Sequence, residues 1–173
     1  MTNYKEFLKN ITTFIFDYDG VLTEGIVLLT EEGEPLRTAN VRDGYALQLA
    51  IKKGYRVAVI SGGKSRSMQN RLSSLGITDV FLGVEHKVLV FNEYLAKNNI
   101  GRDEVIYMGD DIPDYEVMKL ANISACPADA AEEIKLISDY ISHYPGGKGC
   151  VRDIIEQVLK LQKNWMDHDA FKW

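Results

Sequence analysis

The chain has 173 residues and a formal net charge of −5, and this length suits one domain that buries its core without disulfides or a structural metal. The acidic balance, with no stripe rich in lysine or arginine, argues against nucleic acid as a partner. No apolar run approaches the roughly 20 residues of a membrane span, and the first residues do not resemble a signal peptide. Cys126 and Cys150 lack the CxxC spacing. We therefore expect a soluble cytoplasmic protein with no membrane partner.

The hydrophobic pattern predicts strands that alternate with helices along the chain. Strands are predicted near residues 12–17, 56–60, 80–82, 105–108 and 122–125. Helices are predicted near residues 43–53, 64–75, 87–98, 113–120 and 151–162. This alternation predicts an α/β fold with a doubly wound, Rossmann-like parallel sheet, in which ligands bind beyond the carboxyl ends of the strands.

Two segments depart from this alternation. Residues 26–30 and 36–40 flank a turn with a glycine, so a β-hairpin is predicted within residues 24–40. At the other end, residues 164–173 carry two tryptophans and a phenylalanine among polar residues, and we expect a flexible tail that docks on the domain or is partly disordered. With no linker or repeat between these segments, residues 1–173 are expected to form a single domain.

The first predicted strand ends in two carboxylates, Asp17 and Asp19, which Gly20 follows. Residues i and i+2 of an extended segment share a face, so both acids can point into one crevice. One could attack an electrophile while the other handles a proton or helps to hold a metal. A DxDG pattern alone is more often a turn with solvated acids, so its companions decide its interpretation.

The companions follow later strands. Ser61 and Gly62 lie where the second core strand opens a helix, and a hydroxyl with free backbone N–H groups there suits a phosphate. Lys87 opens the next helix and could bring an ammonium group to the same phosphate, although a lone lysine at a helix start is more often solvated.

A cluster of acids follows the strand near residues 105–108. Asp110, Asp111 and Asp114 offer the hard oxygen ligands that suit Mg²⁺. A carboxylate about 4 Å from a phosphate charge repels it by roughly 4 kcal/mol at an effective dielectric constant of 20, so a phosphate ester requires a divalent cation at such a site. Asp111 and Asp114 could instead be acids that favour a helix N-terminus.

Together these residues identify a resemblance to the haloacid dehalogenase superfamily of phosphotransferases. The resemblance implies that Asp17 is the nucleophile, which forms an aspartyl-phosphate, and that Asp19 is the general acid and base. It further implies that Ser61, Gly62 and Lys87 bind the phosphoryl group. Mg²⁺ would lie between the Asp17 carboxylate, the Asp19 backbone carbonyl and Asp110, with Asp111 and Asp114 in support.

The spacing of these motifs leaves no room for the cap domain that many members carry, which places the chain in the capless branch. Over nearly its whole length the chain resembles the family of 3-deoxy-D-manno-octulosonate 8-phosphate phosphatases, through residues 40–45, through Arg71 with residues 75–77, and through residues 146–152. This resemblance implies hydrolysis of that ester to the free sugar acid and phosphate, by a homotetramer in which each hairpin caps a neighbouring active site. The expected substrate contacts are Gly63, Lys64, Arg71, Lys148 and Arg152.

Several alternatives remain open at this stage. Arg71 is nearly as well explained as a solvated residue, and Lys64, Lys148 and Arg152 are each candidates for the sugar carboxylate. Related enzymes that act on 2-keto-3-deoxynononate 9-phosphate resemble the chain almost as well, and only Gly63 favours the eight-carbon substrate. More remote alternatives are a phosphoacceptor signalling module, a catalytically silent scaffold, and a capless phosphatase that acts on protein or nucleic acid.

Overall fold

The computed structural model describes residues 4–173, so the first three residues of the predicted domain lie outside the described residues. The strands are β1 (Thr13–Phe16), β2 (Leu28–Leu29), β3 (Pro35–Leu36), β4 (Arg56–Ile60), β5 (Asp79–Phe81), β6 (Val105–Met108), β7 (Ile123–Cys126) and β8 (Tyr140–Ile141). The α-helices are α1 (Tyr4–Phe7), α2 (Val41–Lys52), α3 (Arg66–Ser74), α4 (Lys87–Asn98), α5 (Tyr115–Met118), α6 (Glu132–Ile137) and α7 (Cys150–Leu161). Short 3₁₀ helices cover Leu8–Asn10, Arg102–Glu104, Ile112–Asp114 and His168–Phe171.

One parallel sheet forms the centre of the domain, with the strand order β5-β4-β1-β6-β7-β8. The chain adds β4 and β5 on one side of β1 and then returns to add β6 on the other. The strand order therefore reverses at β1, and this switch point is where ligands bind in open α/β sheets.

Helices cover both faces of the sheet, because side chains along a strand alternate between its faces. Phe14 and Phe16 lie in one apolar layer with residues of α2, α3 and α7, whereas Ile15 lies in the other with residues of α4, α5 and α6. All three side chains are fully buried. The predicted doubly wound α/β sheet is therefore confirmed, and no cap domain interrupts the described residues. No helix in residues 4–173 has the length and apolar character to span a bilayer.

Three differences from the predicted elements involve short segments. The hairpin pairs only Leu28 with Leu36 and Leu29 with Pro35, so its strands are shorter than predicted. The hairpin protrudes and has no buried face to hold longer strands. Helix α6 and strand β8 were not predicted, and β8 adds a sixth strand at the sheet edge. The helix predicted near residues 113–120 is a 3₁₀ turn followed by a single helical turn.

The tail lies against α2. Trp165 is buried and meets the ring of Tyr45 edge to face, while the Tyr45 hydroxyl donates to the Ala170 carbonyl at 2.5 Å. Lys53 forms ion pairs with Asp167 and, at 2.7 Å, with Asp169. In the single chain the tail is thus docked on the domain.

Candidate active site

The turn after β1 begins the site. The backbone N–H of Asp17 donates to the Met108 carbonyl of β6, so the carboxyl ends of the two strands meet at this point. Gly20 follows with φ +84°, and a Cβ built on it would lie 1.9 Å from Asp110 Oδ2. The absence of a side chain at Gly20 therefore lets the loop after β6 approach the loop after β1.

An open cavity of about 480 Å³ lies at the carboxyl ends of β1, β4 and β6. It collects the predicted catalytic, phosphate-binding and acidic residues in one place. The lining residues are Asp17, Asp19, Gly25, Ser61, Gly62, Gly63, Val84, Glu85, Lys87, Asp110, Asp111, Pro113 and Asp114.

Lys87 joins two of the buried acids. Its Nζ lies 3.0 Å from Asp17 Oδ2 and 2.7 Å from Asp114 Oδ1, and its side chain is 5% exposed. The Tyr107 hydroxyl donates to the same Asp114 oxygen at 2.8 Å, and the Asp110 backbone N–H donates to Asp114 Oδ2 at 3.3 Å. Asp114 is fully buried, so this network, rather than a helix N-terminus in solvent, accounts for its position.

The acids outnumber the single ammonium group that faces them. Oxygens of Asp17, Asp110 and Asp114 all lie within 4.8 Å of one another. Burial, together with the charge of Asp114, raises the pKa of Asp17 to about 7. Burial and the charge of Asp17 likewise raise the pKa of Asp110 to about 8. A cluster of carboxylates that repel one another this strongly fits a divalent cation with oxygen ligands, such as Mg²⁺.

The Ser61 hydroxyl faces the same cavity. Ser61 is buried, and its Oγ accepts from the Gly63 N–H at 3.1 Å. A Cβ on Gly63 would lie 2.9 Å from Asp19 Oδ2 and 3.4 Å from Ser61 Oγ. The lack of a side chain at Gly63 therefore leaves room for the Asp19 carboxylate beside the predicted phosphate-binding turn.

Asp19 has a partner that the sequence did not suggest. This partner is Arg37, which directly follows β3 and donates to both oxygens of the Asp19 carboxylate. Its Nε lies 2.6 Å from Oδ1, and its Nη2 lies 3.0 Å from Oδ2. The sequence showed only an arginine within the predicted hairpin, where such a residue is usually solvated. Tyr107 was also missed, because its position inside an apolar strand is typical of a core residue.

The remaining predicted residues lie at the edge of the cavity or outside its lining. Asp111 is exposed and its side chain accepts from the Ile112 N–H, as an N-terminal helix cap does. Lys64 packs along Gly83, and Arg71 lies over Gly44. Lys148 forms an ion pair with Glu24, and Arg152 forms one with Glu156. Lys64, Arg71, Lys148 and Arg152 do not line the cavity that holds Asp17.

A family model and a sequence relative both match this chain, and they indicate the same family. The haloacid dehalogenase-like hydrolase model matches residues 44–128. The 3-deoxy-D-manno-octulosonate 8-phosphate phosphatase of Salmonella typhi is 36% identical over 154 residues, which are 89% of this chain and 82% of that protein.

Two solved structures have the same fold as this chain. The crystal structure of the phosphatase of the same description from Yersinia pestis superimposes with a TM-score of 0.92 and 32% identity, over 94% of this chain and 88% of the other. The Moraxella catarrhalis phosphatase, in complex with a magnesium ion, a phosphate ion and a KDO molecule, gives a TM-score of 0.91 and 31% identity over 95% of each chain.

Proposed function

The chain belongs to the 3-deoxy-D-manno-octulosonate 8-phosphate phosphatase family of haloacid dehalogenase-like hydrolases, and from this membership we propose that it hydrolyses that ester in a Mg²⁺-dependent reaction. The products are the free sugar acid and inorganic phosphate. The observation that carries the proposal is the single cavity in which Asp17, Asp19, Ser61, Lys87 and Asp110 meet. The complex of the Moraxella catarrhalis relative with magnesium, phosphate and KDO supports the same substrate class.

The reaction proceeds through a covalent intermediate on Asp17. A carboxylate oxygen of Asp17 attacks the phosphorus, the bond between phosphorus and the sugar oxygen breaks, and the departing oxygen takes a proton from Asp19. Asp19, now ionised, accepts a proton from a water molecule that attacks the phosphorus. The bond between phosphorus and Asp17 then breaks, which releases phosphate and restores the nucleophile.

The other residues of the cavity bind and orient the phosphoryl group. Ser61 and Lys87 hold its oxygens, and Gly62 allows the backbone to approach them. Asp17, the Asp19 backbone carbonyl and Asp110 would hold Mg²⁺, with Asp114 and Asp111 close by. The bound ion would supply the positive charge that lets a phosphate dianion enter a cluster of acids.

The protruding hairpin supports a proposal about assembly. Its apolar residues are widely exposed in the single chain: Ile26 at 67%, Leu28 at 66% and Leu29 at 77%. Exposed apolar patches of this kind mark interaction surfaces. Leu89 and Ile112, which lie close in sequence to the cavity residues Lys87 and Pro113, are more than half exposed as well. We propose a homotetramer in which the hairpin of one copy covers the open cavity of another.

The proposed setting of the reaction is the cytoplasm. Both cysteines, Cys126 and Cys150, are free and buried, which suits a reducing compartment.

The covalent step is tested by replacing the nucleophile. We expect Asp17→Asn to abolish phosphate release from 3-deoxy-D-manno-octulosonate 8-phosphate in the presence of Mg²⁺, because an amide cannot form the intermediate. The variant should keep the thermal stability of the wild type. It loses the ion pair of Asp17 with Lys87, but it also loses the repulsion between Asp17 and Asp114. Turnover that persists in a folded Asp17→Asn variant would contradict the mechanism.

A further inference from the structure

Arg37 connects the hairpin with the second carboxylate of the site. Its side chain is only 9% exposed, and its guanidinium group binds both oxygens of Asp19 in a side-by-side geometry. A weaker contact from Nη1 to the Pro35 carbonyl at 3.4 Å ties the same group to the end of the hairpin. Bidentate pairs of arginine and carboxylate fix orientation as well as distance, because the planar fork matches the two oxygens.

The paired carboxylate points toward the phosphate-binding turn. Asp19 Oδ2 lies so close to Gly63 that a Cβ there would approach it to 2.9 Å, and the same Cβ would meet Ser61 Oγ at 3.4 Å. The Thr23 hydroxyl is the other side chain that hydrogen-bonds to the Asp19 carboxylate within the described residues, and it donates to Oδ1 at a long 3.4 Å. Arg37 is therefore the group that holds Asp19 beside Ser61.

Orientation matters for Asp19 more than for a residue that only supplies charge. A proton donor must place its oxygen within hydrogen-bond reach of the departing atom, and misplacement by about 1 Å is enough to cost a factor of 10² in rate. Asp19 lies on a loop and its side chain is 32% exposed, so packing alone does not fix its rotamer.

We propose that Arg37 is a positioning residue, which directs the Asp19 carboxylate toward the oxygen that leaves the phosphorus. The contact of Nε with Oδ1 at 2.6 Å holds the group, and the longer contact of Nη2 with Oδ2 at 3.0 Å is released when Oδ2 carries the proton that Asp19 donates. The inference rests on the proposed function, because it assumes that Asp19 donates the proton. It also assigns a role to the hairpin within its own chain: the base of the hairpin orients the acid–base residue of the same active site.

The test compares two substrates that differ in how much they need a proton donor. Phenyl phosphate and 4-nitrophenyl phosphate have similar shapes and lack both sugar and carboxylate, but 4-nitrophenolate leaves readily without a proton. The value of kcat/KM reports the steps up to departure of the leaving group, so the second half of the reaction does not enter. The variants are Arg37→Ala, Arg37→Lys and Asp19→Asn. The control is Arg56→Ala, at the amino end of β4 and therefore at the opposite end of the strand from the cavity.

We expect Arg37→Ala to lower kcat/KM for phenyl phosphate about tenfold more than for 4-nitrophenyl phosphate. Asp19→Asn should show a larger difference between the two esters in the loss of kcat/KM. Arg37→Lys should show a smaller difference than Arg37→Ala, and Arg56→Ala should show none. An equal loss for both aryl esters in Arg37→Ala would indicate a structural role, and a loss confined to the sugar-acid phosphate would indicate substrate recognition. A gain would show that Arg37 restrains the reaction. Any of these three results overturns the inference.

The same experiment separates failure of the inference from failure of the proposed mechanism. If Asp19→Asn shows the difference and Arg37→Ala does not, the role of Arg37 is wrong while the acid–base role of Asp19 stands. If Asp19→Asn shows no difference between the two esters, the proton-donor role itself is wrong.

Discussion

Gly20 shows how much of the site depends on a side chain that is absent. It adopts φ +84°, and its Cα lies so close to Asp110 that a Cβ would collide with the carboxylate. The glycine thus meets two demands, a left-handed backbone and a close approach of two loops. The second demand connects this position directly with the acids that would hold Mg²⁺.

We expect Gly20→Ala to weaken Mg²⁺ binding and to lower activity, because the new methyl group must displace the Asp110 carboxylate. The left-handed backbone should also lower the free energy of unfolding by about 1 kcal/mol. The measurement is the Mg²⁺ concentration that gives half-maximal phosphate release, together with thermal unfolding.

Gly54 offers a matched control for this substitution. It has φ +85°, but a Cβ there would meet no atom within 4 Å. Gly54→Ala should therefore lose similar stability and keep its response to Mg²⁺. If Gly20→Ala and Gly54→Ala respond alike to Mg²⁺, the close approach of Gly20 to Asp110 does not affect Mg²⁺ binding, and the prediction is wrong.

The meeting of the acids in one cavity could be predicted from the sequence, but their surroundings could not. Asp17 and Asp110 follow apolar strands, and parallel strands bring such ends together by topology alone. The ion pair of Arg37 and Asp19 depends on how the protruding hairpin folds back, and no local sequence pattern predicts the direction of the hairpin. Whether the side chain of Arg71, an expected substrate contact, reaches the cavity depends on its direction from the helix, which residue type does not reveal.

At the scale of elements, one buried acid of α2 forms a hydrogen bond with the first turn of α7. Asp43, in the first turn of α2, is 1% exposed, and its Oδ1 accepts from the Arg152 N–H of α7 at 2.7 Å. Gly149 precedes α7 and has no side chain with which to cap it, so Asp43 caps that helix from its neighbour. Its Oδ2 has no hydrogen-bond partner among the described residues.

Burial raises the pKa of Asp43 from 3.8 to about 6, against the opposing effect of the Arg152 N–H. The folded protein therefore holds this proton more tightly than the unfolded chain. The contribution of Asp43 favours the folded state at low pH and is lost as the pH rises from about 4 to about 6, by an amount on the order of 3 kcal/mol.

We expect Asp43→Asn to remove this part of the pH dependence. Relative to the wild type, the variant should gain stability as the pH rises from 4 to 7, because its amide does not ionise and still offers one oxygen to α7. Urea unfolding of both proteins at several pH values measures the difference, and Asp103→Asn, at an exposed position, serves as the control. A difference that stays constant with pH would contradict a buried titrating carboxyl at this position.

The hairpin gives the second prediction at this scale. Replacing Leu28 and Leu29 together by lysine should break the proposed assembly, because each new charge would have to be buried against the neighbouring copy. We expect a smaller particle by light scattering and a KM for the sugar-acid phosphate that rises several-fold, with a smaller change in kcat.

Leu136→Lys is the matched control, because Leu136 is 84% exposed on α6, away from the hairpin. It should leave both the mass and KM unchanged. Wild-type mass and KM in the double lysine variant would remove the hairpin from both assembly and substrate enclosure.

Elements with a strong periodic pattern were predictable, and those without one were not. The apolar strand β4 contributes to the cores on both faces of the sheet, and the amphipathic helix α7 contributes to the core on one of them. Strand β8 contains only Tyr140 and Ile141 and pairs at the edge. Its existence depends on the exposed edge of β7, a tertiary feature that two residues cannot signal.

At the scale of the whole molecule, one topological feature explains the position of the chemistry. The strand order reverses at β1, and the loops after β1, β4 and β6 bring Asp17, Ser61 and Asp110 to one edge, where we propose the nucleophile, the phosphate-binding turn and the metal-binding acids. The fold leaves this edge open, without a cap domain. The proposed assembly, in which a neighbouring hairpin covers the cavity, would enclose the small sugar acid at this open edge.

The most direct measurement is steady-state phosphate release by the wild-type protein with Mg²⁺, on 3-deoxy-D-manno-octulosonate 8-phosphate and on 2-keto-3-deoxynononate 9-phosphate side by side, each repeated with excess EDTA. The account predicts a clear preference in kcat/KM for the eight-carbon ester and no turnover of either ester once the metal is removed. A preference for the nine-carbon ester, or turnover that survives EDTA, would contradict it.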